Sequence, residues 1–154
     1  MIALLLAFVA LGLAVPAAAA PPYPLLVERD GLRVYGPTDG QRWGRCPGGA
    51  LPVRAVELRI AERAVLLAVP RLYARQGSRP RIEVRDARAR ALRIGADVST
   101  RAGLARATCG RTIAGRSLAV HVGFPHVTWS ASLSSATFFV ARVRDGWVLW
   151  HQAH

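Results

Sequence analysis

The sequence predicts an α+β domain: one long amphipathic helix packed on a curved antiparallel β-meander of about four to five strands, with a short N-terminal hairpin. Three observations carry this. Residues 52–76 repeat apolar side chains at three- and four-residue steps. From residue 81 onward the pattern changes to alternation. Asp30-Gly31 and Asp145-Gly146 each lie between β-type runs, the dipeptide that tight hairpins favour.

The 154 residues divide into three parts. Residues 1–19 read as a secretory signal. Residues 2–15 are uncharged and nearly all apolar, and a run of small residues, Ala17 to Ala20, follows Pro16. Pro21 disfavours cleavage directly before it, so Ala19 is the expected last residue of the signal. A second reading of the same segment is a retained membrane anchor, since residues 2–20 approach the length of a span. No Cys follows the apolar run, which excludes a lipoprotein of the usual type.

Residues 20–50 read as an extended lead-in, the first hairpin and a Gly- and Pro-rich loop containing Cys46. Residues 51–154 read as helix plus sheet. In the helix, Val53, Val56, Ile60, Ala64 and Leu67 form one stripe, and Leu58, Ala61, Val65, Ala68 and Leu72 widen it. Pro52 suits a first helical turn, and Pro70 predicts a kink. Glu57 and Glu62 are expected on the helix surface.

Beyond the helix, Ala87, Ala89 and Ala91 alternate with Arg88, Arg90 and Leu92, as in a strand. Residues 95–103 read as a polar loop and residues 105–109 as a short strand. Residues 112–124 read as a strand with Leu118, Val120, Val122 and Phe124 on one face. Residues 132–144 and 147–152 form the C-terminal hairpin, with Arg144 opposite Trp147. One face carries Phe139, Ala141, Val143, Val148 and Trp150 and is assigned to the core. The other carries Phe138, Val140, Arg142, Arg144, Trp147, Leu149 and His151 and is expected to be partly wet.

A long helix followed by a meander resembles the layout of the cystatin-like and nuclear-transport-factor-like superfamilies. The likeness is one of element order over residues 52–153. The cystatin motif Gln-x-Val-x-Gly is absent, so no inhibitory residues follow from it. The resemblance implies a sheet curved around a helix, which can enclose a small-molecule pocket.

The formal net charge is +12, from 21 basic and nine acidic residues. Every basic residue is Arg, which a GC-rich coding sequence explains without any special role for guanidinium groups. The excess favours anionic partners: an anionic envelope component or another envelope protein, and a membrane surface reached through the N-terminus or the basic surface. Export and the lack of a recognised motif argue against nucleic acid.

Cys46 and Cys109 are an even pair in an exported chain and predict a disulfide. Closing about 64 residues stabilises by ~4 kcal/mol in the chain-entropy model. Nothing calls for a cofactor or a metal: His121, His126, His151 and His154 lack zinc-site spacing. Ser130, Ser132, Ser134 and Ser135 lack a nucleophile-elbow context. His121, between small neighbours, and Asp86, at a phase change, are the candidate pocket residues, and Glu83 and Asp97 are the weaker acid candidates. Arg142, Arg144, Trp147 and His151 are the candidate surface-binding patch. The leading expectation is a non-catalytic binding domain. The alternatives are a small-molecule pocket protein or enzyme on the concave sheet face, and a small structural secreted protein.

Overall fold

The computed structural model describes residues 20–38, 41–73, 87–94, 100–125 and 134–153. The signal segment, Asp86, Glu83, Asp97, His126, Trp129, Ser130, Ser132 and His154 lie outside the described residues.

The N-terminal hairpin is β1 (Leu25–Arg29) and β2 (Leu32–Tyr35). Its turn residues Asp30 (φ 52°) and Gly31 (φ 74°) are both left-handed, as a two-residue hairpin loop requires. A 3-10 turn (Ala55–Glu57) leads into α1 (Leu58–Tyr73). Then come β3 (Arg88–Arg93), α2 (Thr100–Gly115), β4 (Ser117–Gly123), β5 (Ser135–Val143) and β6 (Gly146–Ala153).

All six strands form one sheet in the order β1-β2-β6-β5-β4-β3. It has more strands than expected and is mixed: β3 to β6 form an antiparallel run, but β2 joins β6 in parallel through Val34–Trp147 and Tyr35–Val148. The hairpin is therefore an integral edge of the sheet. At the other edge β3 carries Arg88, Arg90 and Arg93, and exposed charge discourages edge-to-edge pairing.

Both faces of the sheet are covered. On one, Ala61, Ala64, Val65, Ala68 and Val69 of α1 pack with Val34, Leu118, Val120, Val122, Phe138, Val140, Trp147 and Leu149. On the other, Ala102, Ala105 and Ala114 of α2 pack with Phe139, Ala141, Val148 and Trp150. The expectation of one wet face on the C-terminal hairpin is thereby corrected: Phe138, Val140, Trp147 and Leu149 are all buried. Trp150 is fully buried, and its indole N–H donates to Ser117 Oγ at 3.2 Å, which removes the cost of burying a polar group.

The expected loop over 95–103 and short strand over 105–109 are replaced, from Thr100 onward, by α2. Glycines and threonines obscured the helix, which is interrupted at Gly110 (φ 75°, ψ 169°). The strand expected over 112–124 accordingly starts only at Ser117. The buried stripe of the helical segment is rotated from the predicted one: Val56 in the 3-10 turn is 68% exposed and Ile60 in α1 41%, while Val69 is buried. Pro70 lies inside the helix without ending it. Lacking an N–H, it leaves the Leu66 carbonyl without its intrahelical donor, a cost the helix bears through the packing of its buried face.

The C-terminal turn is also displaced by one residue. Val143 pairs with Gly146 and Arg142 with Trp147, so Arg144 and Asp145 are the loop residues. Gly146 is needed because a Cβ there would stand 2.3 Å from the Arg33 carbonyl oxygen on the adjacent strand. A bulge between Phe139 and Val140 in the pairing of β5 with β6 makes Trp150 the extra residue. It turns His151 onto the face of Phe139, whose ring lies 5.4 Å away, instead of the face of Trp147.

Candidate functional site

The loop between β2 and α1 crosses to the α2 side of the sheet. Gly44 N–H donates to the Trp150 carbonyl at 2.7 Å. Tyr23 is buried in the same layer; its hydroxyl accepts the Arg45 N–H at 2.9 Å and donates to the Arg42 carbonyl at 3.1 Å. Cys46 and Cys109 are joined by a disulfide with a Cα–Cα distance of 5.4 Å. The bond ties this loop to α2, not to the sheet as the sequence suggested, because Cys109 is helical.

Charge is divided unequally between the two sides. Glu62 on α1 accepts the Ala91 N–H at 3.0 Å and pairs with Arg59 at 3.4 Å. Asp30 pairs with Arg63, and Glu28 with Arg33 at 2.9 Å. Glu57 is buried, contrary to its expected place on the surface. It accepts the Arg54 backbone N–H at 2.8 Å and the Arg54 guanidinium at 3.1 Å, and pairs with Arg142. Burial pushes its carboxyl up, but the Arg54 hydrogen bonds and the Arg142 and Arg54 charges outweigh that and hold it below the usual carboxylate range.

Among the described residues the α2 side has no such neutralisation. Among the described residues from 87 to 153, Asp145 in the hairpin turn is the only acid. Arg88 and Arg90 of β3 lie on the sheet face turned away from α1, since Arg90 is paired with His121 while Val120 and Val122 point toward α1. Arg101, Arg106 and Arg111 are exposed on α2. None of these guanidinium groups forms an ion pair among the described residues. Arg45 adds a cation over the Tyr23 ring at 5.9 Å.

The candidate residues from the sequence fall apart in space. His121 is half-buried on the α2 side, with Nδ1 3.4 Å from Thr137 Oγ1. Its proposed partner Asp86 lies outside the described residues. The patch of Arg142, Arg144, Trp147 and His151 does not form. Trp147 is only 4% exposed, Arg142 is engaged by Glu57, Arg144 sits in the turn, and His151 faces the other side of the sheet. Burial lowers the pKa of His151, and its Nδ1 is buried with no hydrogen-bond partner among the described residues. Among the described residues no three His, Cys, Asp or Glu side chains gather as a metal site would need. No helix among them is long and apolar enough to cross a membrane.

The basic α2 side was missed because residues 100–115 were not read as a helix. Arg101, Arg106 and Arg111 then looked like scattered charges. The signal available was the lack of acid in the stretches that form β3, α2, β4, β5 and β6.

Comparison with family models, with curated proteins and with solved structures finds no match to this chain. The fold and the charge distribution therefore carry the functional reading.

Proposed function

We propose that this chain is an exported, non-catalytic domain that binds anionic partners of the cell envelope through the face bearing α2. The observation that carries the reading is the separation of charge among the described residues: acids are paired around α1 and the first hairpin, while Arg88, Arg90, Arg101, Arg106 and Arg111 stand without them. A one-signed surface raises the local concentration of anionic ligands. The apolar N-terminal sequence supports export, and the disulfide fits an oxidising compartment. The likeness to cystatin-like and nuclear-transport-factor-like layouts enters as element order, here extended by a helix between β3 and β4 and by the parallel β2–β6 pair.

The test is binding of the full chain to soluble polyphosphate and to phosphatidylglycerol vesicles, with phosphatidylcholine vesicles as the neutral control. Replacing Arg90 and Arg106 by Gln should weaken binding about 10- to 30-fold at low salt, from ~1 kcal/mol per basic residue near an anionic surface. Replacing Arg59 and Arg63 removes the same charge from the opposite side and should do less. Equal losses from the two doubles would overturn the assignment of the face. Affinity that ignores ionic strength would overturn the electrostatic reading.

A further inference from the structure

A cleft of about 290 Å3 opens on the α1 side of the sheet, away from the basic face. It lies where the C-terminal turn of α1 meets the start of β1, the loop after β2 and the end of β6. Two of its aromatic walls are fixed from behind. Trp43 rests against Phe138 with ring centroids 6.1 Å apart, and Tyr73 meets Phe124 edge-on at 5.5 Å. Tyr73 is further held by Gln152, whose amide donates to its hydroxyl at 3.0 Å. Leu26 and Leu72 complete an apolar wall.

The polar lining includes Gln41 and Arg71. Gln41 is oriented by its Oε1, which accepts the Thr38 N–H at 3.1 Å. That leaves its NH2 as the donating end, without a partner among the described residues. Arg71 is exposed at the cleft and forms no ion pair among the described residues. Among the described residues no carboxylate lines the cleft. Aromatic walls beside polar donors are elements of a small-molecule site, and the volume is near the lower end of the usual range.

We propose that this cleft binds a small aryl carboxylate, its ring between Trp43 and Tyr73 and its carboxylate on the Arg71 guanidinium. Arg supplies two parallel N–H donors that match a carboxylate, and the aromatic walls select a flat apolar body. A neutral ligand of the same shape would leave the guanidinium without its partner. The site is separate from the α2 face and does not depend on it.

The test is fluorescence titration of the full, oxidised chain with 2-naphthoate and with neutral 2-naphthamide. The acid should bind at least tenfold more tightly than the amide, the factor expected from one charge-assisted contact. Arg71→Gln should bring the acid down to the affinity of the amide, and Arg71→Lys should restore part of the difference. Arg71 is exposed, so these variants leave the core intact. Trp43→Phe should weaken acid and amide together. Arg106→Gln, on the basic face, should leave both unchanged. Equal binding of acid and amide would overturn the proposal, as would no binding of the acid in the millimolar range. An equal loss from Arg106→Gln would also overturn it, since that would reflect net charge alone.

Discussion

Gly146→Ala tests the packing of β2 on β6 at a single methyl group. A Cβ at residue 146 would lie 2.3 Å from the Arg33 oxygen, 2.9 Å from the Arg33 Cβ and 3.0 Å from the Arg33 carbonyl carbon. Ordinary contact begins near 3.4 Å, so about 1 Å must be found between two strands whose normal spacing is roughly 4.8 Å. The nearest obstruction is backbone and cannot rotate away. Nor can the hairpin retreat freely, because the parallel pair rests on Val34–Trp147 and Tyr35–Val148, and Val34 and Trp147 are core residues. Overpacking of this kind costs about 1–3 kcal/mol. The positive φ of 151° at Gly146 adds about 1–2 kcal/mol, for a total of about 2–5 kcal/mol. Urea unfolding of the oxidised protein measures this directly. Two other glycines calibrate the result. Gly49→Ala, with φ +69° and open space, should cost about 1–2 kcal/mol from backbone strain alone. Gly115→Ala, with open space and no positive φ, should stay within about 0.5 kcal/mol of the parent. A Gly146→Ala protein as stable as Gly115→Ala would refute the close approach of β2 to β6.

Two further measurements address the disulfide and the buried carboxylate. Replacing Cys46 and Cys109 together by Ser should lower stability by about 2–4 kcal/mol, seen as a drop in the urea midpoint; an unmoved midpoint would mean the crosslink constrains nothing. Glu57 has a pKa lowered in the folded state, so its contribution is complete above the unfolded carboxylate value and is lost as pH falls through the lower folded value. Stability should therefore decline below about pH 4.3, and Glu57→Gln should flatten that part of the profile while costing about 1.5–3 kcal/mol at neutral pH. An unchanged acid limb in the variant would place the proton uptake elsewhere.

The parts of the fold that local chemistry specifies were legible in the sequence. Asp30-Gly31 has the positive φ values its turn needs, the 3.6-residue repeat marks α1, and the two cysteines pair. What long-range packing specifies was not. The segment Thr100–Gly115 contains Gly103, Gly110 and Gly115, each unfavourable in a helix. Ala102, Ala105 and Ala114 become buried only because Phe139 and Trp150 wait across the sheet. The parallel pairing of β2 with β6 joins segments more than a hundred residues apart, and no local pattern encodes it. One signal was present and misread. Residues 136–143 are nearly continuous in apolar character, which marks a strand covered on both sides, not one with a wet face. That reading would have demanded a second helix, and with it the layer that bears the unpaired arginines. The cleft at Trp43 and Tyr73 depends on how a loop, a helix end and two strands converge, which spacing alone does not reveal.

The position of β6 has a consequence for the order in which the chain can fold. β6 is the last of the described strands in chain order, yet it lies inside the sheet between β2 and β5. Trp147 and Leu149 serve one core cluster, and Val148 and Trp150 serve the other. Neither cluster can close before residues 146–153 arrive. Until then the first hairpin and the strands β3 to β5 are two pieces with no shared edge. Contacts of such long sequence separation delay the productive nucleus until late. The hairpin and the run from β3 to β5 thus become one continuous sheet only when β6 takes its place between them.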